Sequence, residues 1–199
     1  MSFRLKKAIV ISSMALMMAG VISILWIEAY RHYLPPAISA TSFRQGELIA
    51  FDSMGIVDGQ TKYIHFFDGS CLYSRTNIDH LSLFIHQYRE KCAFYILVTD
   101  DIDPEAFRKE YSLPSFVHVV PNVSREVFTQ YGVTATPHAM ITLDDNTLYF
   151  QGNYTLNNGL CGATNINQSA PAIALRFVSN NKPSPLFPQY QQSNWGCHL

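Results

Sequence analysis

The chain has 199 residues, with 14 Lys and Arg against 15 Asp and Glu and a formal net charge of −1. Once Arg4, Lys6 and Lys7 are set aside, eleven basic residues face fifteen acidic ones, and no basic patch or arginine run remains. This balance excludes nucleic acid as an expected partner, and the chain carries no internal repeat and no glycine-rich phosphate loop.

Ala8 to Ile27 is an unbroken run of twenty uncharged, mostly apolar residues behind Arg4, Lys6 and Lys7. As a helix it would span roughly 30 Å, the hydrocarbon thickness of a bilayer. A cleaved signal peptide is the alternative, but its apolar region covers about 7–15 residues and ends at a small-x-small site. Here the run is longer and passes into Trp26 and Tyr30, which suit a membrane interface. Ala37 to Ala40 lies too far beyond it to serve as the cleavage site. The expectation is a retained signal-anchor over residues 8–30, with residues 1–7 cytoplasmic because the basic end stays inside. In a bacterium the protein would then be a single-pass inner-membrane protein with its C-terminal domain in the periplasm. Residues 31–59 read as a juxtamembrane segment with an opening strand from Glu47 to Phe51.

A β/α pattern follows. Tyr63 to Phe67 is a short aromatic run suited to a buried strand, stopped by Asp68-Gly69-Ser70. A helix is predicted from about Ser74 to Tyr88, with Ile78, Leu81, Leu83, Phe84, Ile85 and Tyr88 on its apolar face. Cys92 to Thr99 is apolar throughout, as a central parallel strand should be. Asp103-Pro104 opens a helix to about Tyr111. Val117 to Val120 is a short strand, and Ser124 caps a helix to Tyr131. Ala139–Leu143 and Thr147–Gln151 form a hairpin around Asp144-Asp145-Asn146. Gln168 to Asn180 is a closing helix, and residues 181–199 read as an irregular tail. Alternating strands and helices give an α/β class, with the folded domain expected over residues 60–180.

The cysteines are Cys71, Cys92, Cys161 and Cys197, none close to another. That spacing does not suit a zinc site, and no metal or cofactor is expected. Cys92 begins a buried strand and is expected to pack as a small apolar group. In an oxidising compartment an even count permits disulfides, with connectivity open. Cys161 with Cys197 is the pairing favoured here, pinning the tail.

Two motifs carry a resemblance. Tyr63 to Arg75, YIHFFDGSCLYSR, resembles the strand, loop and nucleophile-bearing helix start of thioredoxins. Tyr131 to Leu143, YGVTATPHAMITL, resembles their Gly-Val-x-x-x-Pro loop. Together they resemble a thioredoxin-like domain, a central mixed sheet flanked by helices, and the long spacing from Cys71 to Pro137 is similar to that of its membrane-anchored periplasmic branch. The string Cys71, Ser74, Arg75, Asn77, His80, with late Cys161-Gly162 and Gly196-Cys197, is also similar to an uncharacterised bacterial thioredoxin-like family in which a Cys-x-Cys site is expected. The resemblance implies that Cys71 is the attacking cysteine. It also implies a cis Thr136–Pro137 bond facing that cysteine and presenting residues 135–136 to an extended client. Tyr73 and Ser74 stand where a second cysteine would be, so neither short cysteine pair is present.

Physically, a cysteine just ahead of a helix meets unpaired N–H groups and the positive dipole end, which favour a thiolate. Arg75 would add positive charge there. The alternative is an inert Cys71, or one bonded to Cys161 or Cys197. If it reacts, its intermediate is resolved by a distant cysteine (Cys161 being the better placed), by a small thiol, or not at all. His138 would tune the thiolate or cap the loop, with the latter favoured. His65 is expected to be a satisfied core group, and Asp68 is either a proton acceptor near Cys71 or, as favoured here, an ordinary turn residue. Thiol–disulfide exchange with a protein or peptide client, through a single Cys-x-x-Ser nucleophile, is the leading reading. The alternative is a non-catalytic client-binding module in the cell envelope.

Overall fold

The structure is a computed structural model that describes residues 3–33, 43–51, 54–57, 59–154 and 168–199. The chain divides into two units, Met1–Pro35 and Pro36–Leu199. The first contains one helix, α1 (Phe3–Tyr33). Its stretch Arg4–Ile27 spans 24 residues, or about 36 Å, and none of its described side chains is buried. Leu16, Met17 and Trp26 are all exposed although they lie on different sides of the helix. An α-helix that is apolar all round needs an apolar surrounding. Among the described residues, α1 is the one helix long and apolar enough to cross a membrane.

The second unit is built on a five-stranded mixed sheet in the order β3-β2-β1-β5-β6. The strands are β1 (Lys62–Phe67), β2 (Ala93–Val98), β3 (His118–Val120), β5 (His138–Thr142) and β6 (Leu148–Asn153). β1 pairs in parallel with β2, β2 in parallel with β3, and β5 antiparallel with both β1 and β6. Every residue of β1 and β2 is buried. Their aromatic and β-branched residues suit positions covered on both faces.

The helices α2 (Leu72–Tyr88), α3 (Pro104–Glu110), α4 (Arg125–Gln130) and α5 (Ala170–Val178) divide between those faces. Ile78, Leu81 and Ile85 of α2, Phe107 of α3 and Leu175 of α5 pack with Tyr63, Phe67 and Ile141. Phe128 of α4 packs on the other face with Phe66, Leu97 and Met140. Ile49 and Ile56 from the segment ahead of the sheet join this second layer. Helix starts follow their caps. Asp103 accepts from Ala106 N at 3.0 Å with Pro104 in the first turn, and Ser124 and Ser169 accept from Val127 N and Ala172 N. Each such cap satisfies a donor that the helix leaves unpaired.

Three sequence expectations need correction. The opening strand Glu47–Phe51 is reduced to one bridge, Leu48 with Thr147, because backbone bonds there reach only the β5–β6 hairpin and not a full neighbouring strand. Helix α2 begins at Leu72, two residues earlier than predicted, with Cys71 as its N-cap. The tail is not irregular throughout. It contains α6 (Gln189–Gln192) and β7 (Cys197–His198), which pairs with β4 (Ala135–Thr136).

Candidate active site

The site is formed where β1 ends. The Asp68 carboxylate accepts from Ser70 N at 2.8 Å and Ser70 Oγ at 2.6 Å, and Cys71 N donates to Asp68 O at 3.0 Å. This Asx-type turn converts strand into helix within three residues. Asp68 is buried and ion-paired with Arg125 of α4 at 3.1 Å. Gly69 N donates to Asp100 Oδ2 at 3.0 Å, and a side chain at Gly69 would strike that carboxylate. Arg75 donates through Nε to Gly69 O at 2.9 Å. Arg75 is therefore a clamp on the turn as well as a positive charge in the first turn of α2.

These contacts fix Cys71 at the N-cap, with extended φ and ψ of −89° and 115° and no capping bond from its own side chain. Its sulfur points instead at the β4–β5 junction, 3.3 Å from Thr136 O. The Thr136–Pro137 bond is cis. Cys71 is also joined by a disulfide to Cys197, with the two Cα atoms 5.8 Å apart. Cys197 therefore pairs with Cys71, not with Cys161 as favoured from sequence. Cys161 itself lies outside the described residues. Cys92 is free and buried, and burial pushes its thiol well above the ordinary range.

The tail is seated by a definite set of bonds. Thr136 lies opposite Cys197 and Ala135 opposite His198 in the β4–β7 ladder, and Leu199 N donates to Thr134 O at 3.1 Å. Upstream, Asn194 takes a bond from Thr134 N and gives one to Gly132 O, both at 2.9 Å. Asn153 donates to Tyr190 O at 2.6 Å and Ser193 O at 2.8 Å. Gly196 adopts φ +144°, and a Cβ there would collide with the Thr136 carbonyl. Gly196→Ala is therefore expected to unseat β7. Backbone strain of ~1–3 kcal/mol corresponds to roughly a five- to 150-fold fall in the equilibrium constant for Cys71–Cys197 bond formation. Gel-shift titration in glutathione buffers reads this, and an unchanged constant would sink the claim.

The remaining sequence-predicted residues fall in different places. Thr136 and Pro137 are beside the sulfur. Ser74, one turn into α2, is buried, and its hydroxyl finds no partner among the described residues. Tyr73 is exposed on the same turn. His138 makes no capping hydrogen bond through its ring among the described residues. It is buried against Phe66, and both ring nitrogens lack a hydrogen-bond partner among the described residues. His65, on the other face of the sheet, is only half satisfied. Its Nδ1 is 2.7 Å from Tyr154 OH, which is 2.6 Å from Tyr63 OH, while Nε2 is unpaired among the described residues. No metal-binding cluster occurs among the described residues.

Sequence reasoning missed the Asn194 and Asn153 anchors, since a lone asparagine carries no spacing signal. Gly196-Cys197 is visible as a motif, and Cys71 is one of the two partners that the sequence leaves open for it.

Burial holds His65 at about 3, with the His138 charge adding to the effect, and burial alone holds His138 at about 3. In an unfolded chain both titrate near 6.5. Between those values the unfolded chain binds protons that the native rings refuse, so stability rises with pH across the window and falls on acidification. The urea midpoint is expected to be flat above about pH 7.5 and clearly lower at pH 5. Equal midpoints at the two pH values would contradict the neutral burial of both rings.

Comparison with known proteins finds likeness at the level of the fold. No family model and no curated protein matches the sequence. Among solved structures, an uncharacterized conserved protein from Geobacillus kaustophilus matches at 18% identity and TM-score 0.59, covering 83% of this chain and 92% of its own. A hypothetical protein from Sinorhizobium meliloti 1021 matches at 18% identity and TM-score 0.57, covering 71% and 79%. A secreted disulfide oxidoreductase from Mycobacterium tuberculosis matches at 15% identity and TM-score 0.44, covering 60% and 82%.

The fold is thioredoxin-like. Its hallmarks here are the central β1 running into a cysteine at a helix start, and the cis-proline opposite that sulfur. At this level of identity the likeness extends to the fold alone. In place of a neighbouring cysteine, this thioredoxin-like domain brings one from a sequence distance of 126 residues.

Proposed function

We propose that the protein is a membrane-anchored thiol–disulfide exchange protein whose working pair is Cys71 and Cys197. The observation that carries this is the bond itself. It joins the helix-capping cysteine, beside the cis-proline, to a cysteine held in the strand register that an extended peptide would adopt against residues 134–136. A thiolate at Cys71 is favoured by the α2 dipole and by the unpaired N–H groups of its first turn. Cys197 takes the part that Ser74 cannot play. The pair thus replaces a single-cysteine mechanism with a dithiol one. The apolar helix α1 supports anchoring, and an inner-membrane location with the domain in the periplasm suits a disulfide. The client is a protein or peptide thiol or disulfide.

The test is a glutathione-buffer titration of the full chain in detergent, with thiol-specific gel shift, alongside insulin reduction. Reversible interconversion of the pair with catalysed insulin reduction is expected. A bond that stays closed in millimolar glutathione, with no catalysis, would remove the reading. It would favour a second one, a closed client-binding module, which draws on the 1% exposure of Cys71.

A further inference from the structure

We propose that Cys197, not Cys71, is the sulfur that bonds to the client, and that residues 196–199 form the arm that carries it. This rests on the exchange reading above. Three independent features lead to it.

The first is access. Cys71 is 1% exposed, covered by β7 and bordered by Thr136 O at 3.3 Å, while Cys197 is only half-buried. Of the two residues, Cys197 offers the more open approach to an incoming thiolate. The second is the leaving group. Exchange is faster when the departing thiolate is the more stable one. Departure from the helix N-cap at Cys71 places the electron pair at the positive end of α2, whereas Cys197 lies on a two-residue strand with no such support. The third is construction of the arm. Asn194 fixes the chain on both sides of Val133, but beyond it Gly196 provides a pivot at φ +144°. Residues 197–199 are held by the short β4–β7 ladder, Leu199 N to Thr134 O, the disulfide, and packing of Leu199. Breaking the S–S bond removes the covalent hold and leaves the anchored part in place.

The reaction with a dithiol client balances as follows. A client thiolate attacks Cys197 Sγ, a client–Cys197 disulfide forms, and the Cys71–Cys197 bond breaks with its electron pair on Cys71. The second client thiolate attacks the client sulfur of that mixed disulfide and expels Cys197 as a thiolate, which takes a proton from solvent. The client is oxidised by two electrons and the pair is reduced by two. In reverse, Cys197 attacks a client disulfide, and Cys71 then attacks Cys197 Sγ to release the reduced client.

The experiment uses reduced glutathione on the oxidised full chain in detergent, quenched with acid and mapped by peptide mass. The first adduct is expected on Cys197, with Cys71 free, in at least about tenfold excess over the converse, and Cys71→Ser is expected to accumulate the Cys197 adduct from oxidised glutathione. A dominant adduct on Cys71, or one accumulating on Cys71 in Cys197→Ser while Cys71→Ser stays unmodified, would overturn the assignment and leave exchange intact. No adduct on either cysteine in any form would remove the exchange reading itself.

Discussion

Cys71→Ser is expected to bring insulin reduction down to the rate of buffer alone, whichever cysteine first meets the client. The substitution removes the only described sulfur at a helix start, and with it the internal thiolate that must either attack or depart in every turnover. Ser74 cannot substitute, because a hydroxyl forms no disulfide and its Oγ is buried. Cys197→Ser provides the control, since both variants lose the same cross-link and the same stability. Circular dichroism at the assay temperature verifies that each remains folded. Residual catalysis above about a tenth of wild type in folded Cys71→Ser would show that another sulfur supports turnover.

The second large effect is on stability. The Cys71–Cys197 bond closes a loop with a sequence separation of 126. In the chain-entropy account, cross-linking a loop of that length destabilises the unfolded state by about 5 kcal/mol. Reduction, or Cys197→Ala, is therefore expected to cost several kcal/mol, which for a domain of this size lowers Tm by roughly 10 °C or more. Urea unfolding of oxidised and reduced protein, compared at pH 7.5, measures the difference. A gap under about 1 kcal/mol would mean that the unfolded chain is already compact enough for the bond to restrict little.

Much of this architecture is legible in the amino-acid order because local and tertiary preferences agree. The all-apolar AFYILV of β2 is a fully buried central strand, and Asp103 and Ser124 cap helices as their chemistry dictates. The Thr136–Pro137 junction was placed opposite Cys71 through its motif. What the sequence leaves undecided is long-range, with Cys197 one of two alternative partners for Cys71. The partner of Cys71 lies 126 positions away, and its placement depends on Asn194 bonding two backbone groups around Val133. No periodicity encodes such a contact. The environment of His138 is hidden for a related reason. It follows Pro137 in the motif, which makes it a candidate neighbour of the sulfur, and strand alternation sets its ring in the core beside Phe66.

The wrapping of the tail around β6 has its own consequence. β6 is an outer strand of the sheet, and its neighbouring positions Gly152 and Asn153, whose side-chain directions alternate, both meet residues 190–193. The segment that carries Cys197 thereby also covers a margin that would otherwise offer hydrogen-bonding groups to a second copy. A chain shortened before residue 182 would lose its redox partner and also gain a sticky border, and oligomers held edge to edge would be its characteristic failure.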